Sequence, residues 1–212
     1  MTFLYVYYII IIGKRQYTIL PRVYKILIRF IPKPRGGIDM DNNVVYELNN
    51  SSSVLTFYHQ NLTDTTERLN WHSDIELLLI VDGSGNLYYD CESIPLSAGD
   101  IAIVHPYSIH NVNPAVNSHI EQYAFLINND FCVSNGISID NISFQRIVKS
   151  AEMRKLLFEL AEVQKQNNEF TQIKTRGLVL LVIAALAERF ILAPGLTPPP
   201  HFLGTAAYER KI

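Results

Sequence analysis

From Val54 to Asn128 the chain keeps to one pattern. Short runs rich in Val, Ile, Leu, Tyr and Phe (VLTFYH, IELLLIV, NLYYD, IAIVH, IHNV, HIEQYAFLI) alternate with the breaks DGSGN, SAGD and NVNPAVNS. No helical period of useful length occurs in this stretch, so the spacing predicts an antiparallel sandwich or barrel. Gly83, Gly85 and Gly99 stand in the breaks, where a chain reversal needs positive φ.

IELLLIV is apolar at every position but Glu76. A strand of that kind is covered on both faces, as an inner barrel strand with helices packed outside would be. His72 and Glu76 are four residues apart and therefore share one face of an extended chain. Two polar groups entering an apolar interior need partners, and a barrel lumen that holds a small ligand supplies them. GDIAIVHPYSIHNV follows, carrying His105 and His110.

These two stretches resemble the two cupin motifs. The first matches through His72, Glu76 and Gly83, with Asn70 where the leading histidine stands. The second matches through Gly99, an offset Pro106, Ser108 in the glycine place, and His110. More narrowly, WHSDIELLLIVDGSGNLYYDCESIPLSAGDIAIVHPYSIHNV is similar to the sensor domain of AraC-type transcriptional regulators, over about residues 54–190. The resemblance implies a mainly β fold with α: a small cupin-like antiparallel barrel of jelly-roll type, followed by two helices. It implies a non-enzymatic domain that holds a small polar effector, a sugar by expectation, without a cofactor. The ligand set it implies is His72, Glu76 and His110, joined by Glu121 and Tyr123 from HIEQYAFLI, where alternation puts Glu121, Tyr123, Phe125 and Ile127 on one face. Carboxylate and imidazole suit hydroxyls, and an aromatic face suits the C–H side of a sugar ring. The competing expectation is a single-domain cupin metalloenzyme, an isomerase or dioxygenase, with His72, Glu76 and His110 as a two-His, one-carboxylate triad. Trp71 reads as packing, and His59, His105 and His119 as surface or core.

SAEMRKLLFELAEVQKQ brings Met153, Leu156, Leu157, Leu160 and Val163 to one helical face, with Ser150 as N-cap. Glu152, Lys155, Glu159 and Glu162 fall on the other. A second helix contains Leu178 to Ala187, ten apolar residues, too few to span a bilayer, and is expected to be buried nearly all round. The family resemblance implies that residues 149–190 pair subunits into a homodimer.

The 212 residues, 48% hydrophobic, suffice for one fair-sized domain and an appendage. Residues 1–39 carry seven Lys/Arg against one acid; residues 40–212 carry eleven against nineteen. The acidic globular part does not suit nucleic acid binding by itself. Residues 1–39 form an atypical basic, apolar extension, read as a membrane-surface anchor, an ordered arm, or sequence upstream of a true start at Met40. Its apolar run is too short to cross a bilayer. Residues 40–53 read as a mobile arm, 54–148 as the sensing barrel and 191–212 as a Pro-rich tail. That tail, with Pro194, Pro198, Pro199 and Pro200, contains no recognition helix, so the expectation is a truncated regulator without its helix-turn-helix domain. Cys91 and Cys132, far apart, suit reduced thiols and a cytoplasmic location.

Overall fold

The computed structural model describes residues 8–12, 15–19, 44–46, 53–66, 68–139 and 142–192. The chain divides into two compact units, 1–44 and 45–212. In the first, strands β1 (Tyr8–Ile12) and β2 (Arg15–Ile19) pair antiparallel. The rest of the 1–39 extension, most of the 40–53 arm and the tail beyond residue 192 lie outside the described residues.

The second unit is built on a nine-stranded sheet. Its strands are β3 (Val44–Tyr46), β4 (Leu55–Leu62), β5 (Leu69–Trp71), β6 (Ile75–Tyr89), β7 (Glu92–Ser97), β8 (Ile101–Val104), β9 (His110–Pro114), β10 (Ile120–Ile127) and β11 (Ile147–Val148). One path runs β11-β8-β6-β9-β5-β3, while β10 and β7 also pair with β6, and β4 with β10. The registered pairs are antiparallel, as the sequence pattern predicts, but the sheet does not close among the described residues. A short helix α1 (Asn129–Ser134) and two long ones, α2 (Ala151–Gln166) and α3 (Thr171–Arg189), follow the strands.

β6 is the organising element. The sequence reading broke it at DGSGN, but the strand runs on through Gly83. Gly83 takes φ 84° and the ladder to β10 slips by one residue nearby, opposite Glu121 and Gln122. Such a bulge turns a strand without ending it. Residues 75–83 pair with β8 and β10, and residues 84–89 with β7 and β9, so one strand serves both halves of the sheet. Gly85 was expected to need positive φ and does not have it. Its requirement is space: a Cβ there would lie 2.1 Å from the Asn113 carbonyl oxygen.

IELLLIV is covered on both faces, as its composition requires. Ile75, Leu77 and Leu79 join the larger core, with Tyr123, Phe125, Ile127 and buried residues of α2 and α3. Leu78 and Ile80 join a second core between the sheet halves, with Leu87, Tyr89, Val104, Val112, Ala124 and Leu126. α2 starts where Ser150 accepts a hydrogen bond from the Met153 amide, and it buries Met153, Leu157, Leu160 and Val163. α3 departs from expectation. It lies on the outside of one layer, so only one stripe is covered; Ile173, Leu180 and Leu181 are exposed at 70%, 40% and 55%.

Candidate functional site

Glu76 is the only ionisable side chain of IELLLIV, and strand alternation gives it the inner face with Leu78 and Ile80. His110 opens β9. It stands across from Asn70 on one side and Tyr89 on the other. His72 follows directly after β5. The three are buried, exposed at 1% (His72), 7% (Glu76) and 5% (His110).

Their geometry is tight. His110 Nε2 lies 3.0 Å, and His72 Nε2 3.3 Å, from the same carboxylate oxygen, Oε2 of Glu76. The imidazole rings are edge-to-face with centroids 4.9 Å apart. Each Nδ1 is held by a backbone carbonyl, at 3.0 Å from Asp74 for His72 and 3.0 Å from Ser108 for His110. A carbonyl oxygen accepts and never donates, so both Nδ1 atoms carry the hydrogen. Each Nε2 then meets the carboxylate favourably only with a second proton on the ring or with a cation between them. Burial alone would raise the Glu76 carboxyl. The hydrogen bonds from His110 and His72, and their charge, outweigh it and hold the carboxyl well below the usual range.

The arrangement also fits a metal ion. His72, Glu76 and His110 each offer an atom, and these atoms lie within 4.8 Å of one another. Neighbouring donors about 2.1 Å from a six-coordinate ion are about 3 Å apart, as the two Nε2–Oε2 separations are, and the widest pair of donors would draw in from 4.8 Å to hold it. Carbonyl-bound Nδ1 atoms are the usual outer support for histidine ligands. Asn70, in the leading histidine's place, keeps its Oδ1 buried with no hydrogen-bond partner among the described residues.

The other residues expected at the site lie elsewhere. β10 pairs Leu126 with Glu76, Ala124 with Leu78 and Gln122 with Ile80, so the even-numbered residues face the interior. Tyr123 is on the opposite face, among Phe57, Phe125 and Phe158, with its hydroxyl accepting from Lys165 Nζ at 2.8 Å. Glu121 pairs with the exposed His59 at 2.8 Å. These two placements correct the sequence reading. HIEQYAFLI is apolar on both faces beyond Gln122, so alternation alone did not say which side turns inward. The missed inner polar residue is Gln122, 3% exposed and bonded to Gln60.

The second motif is also set differently. Ser108 was placed in its glycine position, but the left-handed residue is Tyr107, φ 64°. An aromatic residue pays for that conformation with strain. Its amide donates to the His72 carbonyl at 2.7 Å, which fixes the loop against the site. His105, read as surface or core, is a buried hub bonded to Tyr89 and the Phe144 amide. His119 pairs with Asp82 at the surface. Trp71 packs against Tyr46, ring centroids 4.5 Å apart.

No curated protein sequence matches the chain. Among solved structures, ToxT from Vibrio cholerae with an unsaturated fatty acid bound is similar at TM-score 0.41 and 15% identity, over 69% of this chain and 60% of that one. The AraC-like transcriptional activator CuxR is similar at TM-score 0.39 and 9% identity, over 61% and 48%. A protein described as a predicted oxalate decarboxylase from Thermotoga maritima is similar at TM-score 0.32 and 23% identity, over 34% and 64%. The chain thus spans less than two thirds of the length of each. The model of the AraC-like ligand binding domain matches residues 53–183. That match runs over more than half of the 212 residues, and the chain belongs to the AraC-like ligand-binding domain family.

Proposed function

We propose that residues 54–148 sense a small polar effector at His72, Glu76 and His110, and that residues 149–190 pair two subunits of a regulator of DNA-templated transcription. DNA contacts in such a regulator fall to a module other than this acidic domain. The observation that carries the reading is the buried His–Glu–His cluster around Glu76, the one polar side chain of the run IELLLIV. A hydroxyl-rich molecule, a sugar or polyol, suits it. The Glu76 carboxylate accepts, and Asn70 Oδ1, across from His110, is a further buried acceptor awaiting a donor. Cys91 and Cys132 form no disulfide with each other, which suits the cytoplasm; among the described residues no helix is long and apolar enough to cross a membrane.

Calorimetric titration of the full chain with pentoses, hexoses and polyols tests this. One member of the panel should bind, and Glu76→Gln should weaken it at least about tenfold through loss of a charged acceptor. Binding that Glu76→Gln leaves intact would move the effector site elsewhere.

The fixed Nδ1 hydrogens support a second reading, a divalent metal held by His72, Glu76 and His110. Such an ion would supply a Lewis acid to which an effector or substrate oxygen binds. Elemental analysis of protein purified without chelator decides it: one iron, manganese or zinc per chain, lost in His72→Ala, favours a metallocupin.

A further inference from the structure

The loop from His105 to His110 touches the site at one end and the end of α3 at the other. On the site side, His110 Nδ1–H donates to the Ser108 carbonyl and the Tyr107 amide donates to the His72 carbonyl. Tyr89, cross-strand neighbour of His110, is fully buried beside them. Its hydroxyl accepts from Ser108 Oγ at 2.9 Å and meets His105 Nδ1 at 2.9 Å. The Phe144 amide donates to His105 Nε2 at 2.8 Å. A backbone amide can only donate, so Nε2 is unprotonated and His105 donates through Nδ1 to Tyr89. His105 and Phe144 also stack, centroids 5.9 Å apart.

Phe144 and its neighbours hold the far end of α3. Phe144 bridges Ile191, the Gln145 amide donates to the Phe190 carbonyl, and the Leu192 amide donates to the Ser143 carbonyl. The route from His110 to Leu192 thus passes through buried groups: Tyr89 is exposed at 0%, His105 at 5%, Ser108 at 1% and Phe144 at 1%. Breaking a bond between such groups leaves polar atoms without water, so the bonds hold or fail together.

We propose that Tyr89 and His105 are positioning residues that couple the state of the His72–Glu76–His110 cluster to the segment 143–145, and through it to the backbone at Phe190–Leu192. Occupancy of the cluster is then felt where α3 ends. The inference rests on the sensing role proposed for the cluster. Its test uses no effector, so its failure leaves effector binding, measured by titration, standing.

The test is a double-mutant cycle read by amide hydrogen exchange, with NMR on the labelled full chain. Glu76→Gln perturbs the cluster; Tyr89→Phe removes the central hydroxyl. The reporters are the amides of Phe144, Gln145 and Leu192, with those of Leu157 and Leu160 in α2 as references. In otherwise unchanged protein, Glu76→Gln should speed the three reporters about fivefold or more while the references hold. With Tyr89→Phe present, adding Glu76→Gln should change them less than about twofold. Should Tyr89→Phe also speed the references, Ser108→Ala, which deletes one hydroxyl from the hub, takes its place and should reduce the response to Glu76→Gln. Reporters indifferent to Glu76→Gln, or a response of the same size in both backgrounds, overturn the proposal.

Discussion

His110 Nε2 sits 3.0 Å from Glu76 Oε2 while the other ring nitrogen of His110 is committed to the Ser108 carbonyl. The contact therefore requires a proton or a metal ion between the Glu76 oxygen and the ring nitrogen. With His72 bound to the same oxygen, Glu76 is held in its ionised form.

This has a consequence for acid stability. The Glu76 carboxyl lies below its ordinary value of 4.5 in the folded protein. A group depressed on folding stabilises the fold above its unfolded pKa and loses that contribution as pH falls through its folded value. At pH 7, Glu76→Gln should cost on the order of 2 kcal/mol, as for hydrogen bonds to charged partners. Below about pH 4.5 the gap between the two proteins should close steadily. Urea midpoints from pH 7 to pH 3 check it; a gap independent of pH would show that Glu76 is not the charged partner of the two histidines.

The register of β10 separates two residues that the sequence put together. Tyr123→Phe removes a hydroxyl bonded to Lys165 on the helix-facing side. It should change effector affinity less than about twofold, whereas His110→Gln, which alters the cluster itself, should cost about tenfold or more. Parallel titrations decide. Equal losses would place Tyr123 in the binding site and make the helix side its wall.

Two glycines in different surroundings offer a steric test. Alanine at Gly85 would drive its Cβ to 2.1 Å from the Asn113 carbonyl oxygen and 2.4 Å from Ile120 Cδ1. At Gly136, φ 81°, a Cβ meets nothing within 4 Å. Gly136→Ala should therefore cost only the left-handed strain, about 1 kcal/mol. Gly85→Ala should cost about 3 kcal/mol, because backbone must move. Thermal unfolding of the two variants ranks them, and the reverse order would mean that β6 and β9 do not pair at Gly85.

Much of this was legible because the period-2 pattern is strict where one face is polar and the other apolar. The strands, the Ser150 cap and the buried face of α2 follow from that logic and its helical counterpart; His72 and Glu76 meet from either side of the break at residues 72–74 between β5 and β6, not by alternation along one strand. The sequence was silent where both faces are apolar. In β10 the choice between the Tyr123 and Gln122 faces depends on pairing with β6, a long-range contact. At DGSGN, turn residues serve a bulge rather than a reversal. His105 carries no local signal, because its partners, Tyr89 and Phe144, are 16 and 39 residues away.

The same ambiguity shaped the reading of α3, whose apolar run looked wholly buried. One stripe remains bare: Ile173, Gly177, Leu180 and Ala184 are exposed at steps of four, three and four, beside Leu181. That is the spacing of a helix–helix seam, with small residues where two backbones approach closely. Leu181→Glu should leave the fold stable, since the position is 55% exposed in a single chain, yet it should abolish pairing if the seam is the interface. Gly177→Ala separates the two effects further. A Cβ there touches nothing within 4 Å in one chain, so the helix should gain about 1 kcal/mol, while a close-packed seam would lose affinity. Sedimentation and thermal unfolding of both variants give the answer. A dimer in which Leu181→Glu changes nothing must be built on another face.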